Sequence, residues 1–206
     1  MNTTLNKLTS KYFQRRLLNQ ITRALLAILI TIIIWLLTHE LNHALFDFAY
    51  TTPLISAIFI PAGVRVVIVL CFGWAGAVGL MLGYLITAHF HHGLSVLETL
   101  PLALLSGLTP YLGYRVWLKI IKQPENFLSL KLRDVFLLTV LCSILSALGR
   151  SLFLSPAKDP HSFETFLITL SGNLIGSLVF FYMLIFAVRI FRAITKRIAI
   201  ELSSGN

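Results

Sequence analysis

Charge is scarce in this chain. Of 206 residues, only 12% are Asp, Glu, Lys or Arg, and just 8 are acidic. A soluble domain carries about 25% charged residues. With 57% hydrophobic residues and a mean hydropathy of +0.84, too much apolar surface exists for one water-facing core to hide. Lipid is the solvent this composition requires. No Ser/Gly-rich or charged linker longer than a few residues divides the chain, so one bundle is expected. The 2 cysteines, Cys71 and Cys142, fall inside apolar runs without metal-site spacing and read as buried small hydrophobes. No phosphate-binding glycine loop, CxxC pair or G-x-S-x-G elbow occurs, which removes those routes to enzymatic chemistry.

What is present is a series of apolar runs. They predict an all-α membrane protein, a six-helix transmembrane bundle with spans over residues 21–38, 52–72, 73–88, 96–116, 135–154 and 163–188. Residues 1–20 form a basic, amphipathic cytoplasmic lead-in, 21–188 the transmembrane domain, and 189–206 a short basic tail. Pro61 and Gly63 predict a kinked or broken second span; Pro101, Gly107, Pro110 and Gly113 predict the same for the fourth.

The net charge of +9 could suggest nucleic acid, but the basic residues gather at the ends of apolar runs, so no nucleic-acid partner is expected. With six passes, every Lys and Arg except Arg65, Arg150 and Lys158 falls on one side. The positive-inside rule makes that side cytoplasmic, with both termini there, in a multi-pass bacterial inner-membrane protein. Gly73, Gly76, Gly79 and Gly83 share a helical face, and Gly172 and Gly176 repeat the theme, so close helix packing is expected at both.

All 6 histidines fall in or beside the outer connections. Among them, His39-Glu40-Leu41-Asn42-His43 is an HExxH, in which His39 and His43 could share zinc while Glu40 acts as general base. Asp47, His89, His91, His92 or His161 could complete the set. The motif sits where the first span is expected to end, and no Asp-Gly pair supplies the second motif of intramembrane metalloproteases. Chance at a histidine-rich interface is the first reading, and a zinc-dependent membrane hydrolase the alternative.

Ionisable groups inside spans carry more weight, because each is costly in hydrocarbon. Arg65 lies near the middle of the second span, beside Pro61 and Gly63, with no carboxylate expected at its depth. Arg150 and Glu98 lie near the outer ends of their spans, where they are expected to pair, and Asn173 lies within the sixth. Arg65, Pro61, Gly63, Glu98, Arg150 and Asn173 are therefore the expected lining of a ligand pocket in the outer half.

Residues 59–83 also resemble the core of the membrane-associated sensor domain family (MASE-type, first class). The resemblance rests on Pro61-Ala62-Gly63, Gly73 and Gly83, on Arg133-Asp134 opening the fifth span, and on Gly172-Asn173…Gly176. It implies a sensor domain; members feed a cytoplasmic cyclase or kinase module. Fewer than 20 residues follow the sixth span, so a stand-alone form signalling through a partner is expected. In size and span number the chain is also similar to the substrate-binding components of energy-coupling-factor transporters, which depend on an ATPase partner. A non-enzymatic sensor or small-ligand binder is the leading reading, and a transporter component the runner-up.

Overall fold

The computed structural model describes residues 2–52, 55–93, 95–121, 132–154 and 162–204. They form five helices: α1 (Asn2–Phe46), α2 (Pro61–His92), α3 (Val96–Ile121), α4 (Leu132–Leu154) and α5 (Ser162–Ser204). Between α1 and α2 lie a single 3-10 turn (Asp47–Ala49) and an antiparallel pair, β1 (Tyr50–Thr52) and β2 (Ile55–Ser56), with Tyr50 opposite Ser56. The lead-in is continuous with the first span as one helix, and the tail with the last. The loops expected over 122–131 and 155–161 lie outside the described residues.

The chain is an all-α membrane protein. Among the described residues five helices are long and apolar enough to cross a membrane, where six spans are expected. The difference lies in α2, which takes in the later half of the expected second span and all of the third. Gly73 inside it has φ 56° and ψ −129°, which is not helical. The turn is a reversal. Val64, Ile68 and Val69 before it share one buried cluster with Leu80, Tyr84 and Ala88 after it. Arg65 and Tyr84 meet around the same partners, although a straight helix would hold them about 28 Å apart. Gly76 tucks against Ile68 of the opposite arm, where a Cβ would stand 2.9 Å from the Ile68 carbonyl oxygen. The two arms, 61–72 and 74–92, thus fold back on each other.

The two expected breaks differ in kind from what the prolines suggest. Pro61 does not interrupt a helix; it occupies the first turn of α2, where a missing N–H costs nothing. The break is the non-helical approach before it, which the apolar run 52–60 conceals. Nor do the breakers of the expected fourth span interrupt it, since α3 runs as one helix through Pro101 and Pro110. Its glycines serve close approach instead. Gly107 lies against the Ala77 carbonyl, and a Cβ on Gly113 would stand 2.7 Å from Cys142 Sγ.

α2 packs against all four other helices. α1 lies along its second arm because Gly79 and Gly83 admit Thr31 and Trp35, whose side chains would stand 2.6 and 2.8 Å from an added Cβ. In lipid, apolar surface gains nothing by turning inward, so contact comes from small residues and polar ties. The burial pattern obeys this: Leu18, Leu25, Leu29 and Leu37 are exposed while Thr31, Asn42, Thr99, Ser106 and Ser146 are buried. Trp35 Nε1 donates to Thr87 Oγ1 (3.3 Å), and Ser106 Oγ to the Leu80 carbonyl (3.0 Å). Of the cysteines, Cys142 is buried as expected but Cys71 is exposed, because its helix face turns away from the bundle.

Asn42, wholly buried, joins α1 to the start of α2. Its Oδ1 accepts from the Ile60 backbone N–H (2.8 Å) and its Nδ2 donates to the Tyr50 hydroxyl (3.0 Å). The first bond satisfies a donor that the opening turn of α2 would otherwise orphan. Asn42→Ala is expected to cost about 2 kcal/mol, read as a lower midpoint of SDS-induced unfolding.

Candidate functional site

The extended segment before α2 lies against α5, where it can approach only because Gly172 and Gly176 present bare backbone. Phe59 N–H donates to the Gly172 carbonyl (3.0 Å). This docking sets the partly buried Phe59 ring against the core cluster, edge-on to Trp35 with centroids 6.3 Å apart.

Two buried guanidiniums meet that ring. Arg65, four residues into the first arm of α2, places its Cζ 5.5 Å from the ring centroid. Arg150 of α4 comes to 5.8 Å and also lies 5.6 Å from the Tyr84 centroid. All three distances fall within cation–π range. Arg65 Nη1 donates to Ser146 Oγ (3.5 Å) and its Nη2 to Asn173 Oδ1 (3.3 Å), both neutral acceptors. Ser146 and Arg150 are one turn apart on α4, and Thr169 and Asn173 one turn apart on α5, so each helix turns one polar face to the site.

Two small cavities flank the pair. One of about 20 Å³ is lined by Tyr50, Ile55, Ser56, Phe59, Arg150, Thr169 and Asn173. The other, of about 10 Å³, lies between Arg65, Ala62, Thr109 and Cys142. Each has room for about one water-sized group. Burial raises the pKa of the Tyr50 phenol above its ordinary 10.0, so it stays a protonated donor at neutral pH.

Of the six residues expected to line a pocket, three converge: Arg65, Arg150 and Asn173. Pro61 starts its helix, and Gly63 faces Phe180, whose Cδ1 would stand 2.7 Å from an added Cβ. Glu98, expected opposite Arg150, is exposed at the start of α3. It accepts from the Ser95 backbone N–H (3.0 Å) and hydroxyl (2.7 Å), while its own N–H donates to Ser95 Oγ (3.3 Å). That is a reciprocal capping box, and it holds the carboxylate away from the core. Ser146, Thr169, Tyr50 and Phe59 are additions, and the i, i+4 pairs Ser146/Arg150 and Thr169/Asn173 were the available signal for two of them.

The HExxH is helical throughout, since α1 continues to Phe46. His39 and His43 ring centroids are 5.0 Å apart, and His43 Nδ1 lies 3.4 Å from Asp47 Oδ1. His43 also stacks on Tyr50, at 4.4 Å and 9°. Among the described residues no group of three or more His, Cys, Asp or Glu is arranged to hold a metal ion. His161 and the side chains of His91 and His92 lie outside the described residues.

The family model named MASE1, a membrane-associated sensor domain, matches residues 22–201, which is most of the chain. The chain belongs to the MASE1 family. Neither curated proteins nor solved structures show a match to it. The matched stretch of this MASE1 domain takes in every residue of the arginine core and most of α5 beyond it. It is a polytopic membrane sensor domain by family and by its apolar helices.

Proposed function

We propose that this MASE1 domain is a non-enzymatic sensor that receives a small ligand at the Arg65–Arg150 core, in the outer half of a six-pass bundle. The observation that carries the reading is Arg65: a buried cation whose hydrogen bonds, among the described residues, go to a serine and an amide. A charge kept inside a membrane bundle at such cost marks a working site. The reversal at Gly73 supports counting the arms of α2 as separate passes. An even number of passes brings both termini to one side, and the surplus of Lys and Arg there favours a cytoplasmic assignment in a bacterial inner membrane.

The route out of the site is α5. It carries Thr169 and Asn173, then continues as one helix to Ser204, about 46 Å beyond Asn173. A shift of Asn173 on ligand binding would thus move a rigid element that ends among basic residues on the proposed cytoplasmic side, where a signalling partner would read it.

Native mass spectrometry of the full chain, released from lipid nanodiscs, tests the reading. A small molecule retained by wild type and lost from a folded Arg65→Gln variant is expected. Retention that is indifferent to Arg65→Gln would move the site elsewhere.

A further inference from the structure

We propose that the ligand of this core is a compact anion, a halide or the carboxylate of a small acid, whose charged group sits in the cavity between Tyr50, Arg150, Thr169 and Asn173. The inference rests on the preceding reading of the arginine core as the ligand site and adds the chemical class.

The balance of donors and acceptors is the first ground. Asn173 turns its Oδ1 to Arg65, which leaves Nδ2 on the other side, buried and without a hydrogen-bond partner. Thr169, one turn earlier and also buried, has a hydroxyl in the same condition. The Tyr50 hydroxyl accepts from Asn42, so its own proton is left to donate toward the cavity it lines. Arg150 adds a guanidinium to the same wall. The remaining polar wall residue, Ser56, uses its hydroxyl locally, donating to the Ile58 carbonyl and accepting from the Ile58 N–H. A water can accept only two of these donors, whereas an anion accepts from all of them.

Charge is the second ground. Both hydrogen-bond acceptors of Arg65 are neutral, and Glu98, the carboxylate expected nearest the core, caps α3 instead. Arg65 therefore meets no carboxylate through its own hydrogen bonds. An anion beside Asn173 would stabilise the Arg65 guanidinium through that amide, in a setting of low dielectric.

Size is the third. A cavity of about 20 Å³ admits one water-sized group. That excludes sulfate and phosphate in this conformation; it takes a monatomic anion whole, or one oxygen of a carboxylate.

The test uses the full chain in zwitterionic nanodiscs, titrated with sodium chloride or sodium formate against sodium gluconate at constant ionic strength. Intrinsic tryptophan emission follows binding, since Trp35 touches both Phe59 and Tyr84. A saturable response to chloride or formate, absent with gluconate, is expected. A chloride response assigns the site to a halide, and a response to formate alone assigns it to a carboxylate. Thr169→Val removes one unpartnered hydroxyl at nearly constant shape, and should weaken the response about tenfold while leaving the protein folded. Identical curves for gluconate and the small anions, or a Thr169→Val titration matching wild type, would overturn the assignment. If a neutral solute instead binds in an Arg65-dependent way, the anion class falls while the core remains the site. If small anions bind equally to Arg65→Gln, the arginine core itself is lost as the site.

Discussion

Gly176→Ala is expected to destabilise the bundle by about 3 kcal/mol, at the upper end of the overpacking range. A methyl at this position overlaps the Phe59 carbonyl group and the Ile60 nitrogen, all of them backbone. Neither side can yield by changing a rotamer. The extended segment would have to leave α5, which breaks the Phe59 N–H bond to Gly172 and withdraws the ring on which both guanidiniums rest. The loss should therefore appear twice, as a lower SDS-unfolding midpoint and as a changed tryptophan emission through Trp35. Gly149→Ala is the contrasting case. Its Cβ would also come close to a neighbour, 2.6 Å from Leu105 Cδ2, but that atom is the end of a flexible side chain. A cost below about 1 kcal/mol is expected there.

Gly73→Val should cost about 3 kcal/mol or more, for a different reason. Nothing stands within 4 Å of a Cβ at Gly73, so no contact is lost or crowded. The penalty is in the backbone, because φ 56° with ψ −129° lies where L-residues are strained and a β-branched one most of all. Gly93 makes the mechanism testable. It caps α2 at φ 62° and ψ 16°, the left-handed region that asparagine tolerates. Asparagine should therefore substitute well at Gly93 and poorly at Gly73. Equal tolerance at the two positions would mean that the reversal does not depend on glycine. Since the reversal brings Arg65 to the level of Tyr84 and Arg150, the Gly73→Val protein should also lose its solute response.

In lipid, a polar residue is a signal in proportion to the cost of burying it. Arg65, Arg150 and Asn173 stood out because charge and amide are costly there, and those three do meet. Thr169 and Ser146 did not stand out, since hydroxyls are common in spanning helices and satisfy themselves on the carbonyl four residues back, as Thr139 and Ser177 do. Only their spacing from Asn173 and Arg150 distinguished them. Asn42 was hidden inside the louder HExxH, although it is the residue of that motif with the most structural consequence.

Other differences follow from reading breakers by type rather than by position. Pro61 marks a helix start, so the expected second span is helical only in its later half. The Pro101 and Pro110 helix stays continuous between close neighbours. Ser95-x-x-Glu98 is a capping signature that was legible locally, while pairing Glu98 with Arg150 relied on depth alone. The split at Gly73 was visible as a boundary between two apolar runs. That it reverses the chain, and so builds the arginine core, depends on how the two arms pack, which the apolar pattern does not encode.

The central claim is that Arg65 is kept for a ligand and not as a structural tie, and the stability of Arg65→Met tests it most directly. Methionine relieves the desolvation of a buried cation held by two neutral acceptors, at the cost of leaving Ser146 Oγ and Asn173 Oδ1 without their donor. The account predicts an SDS-unfolding midpoint within about 1 kcal/mol of wild type, or above it, together with a response to chloride or formate weakened about tenfold or more, because Arg65 acts on the anion through Asn173. A destabilisation of about 3 kcal/mol or more with the response intact would contradict it, and would make Arg65 a strut of the bundle.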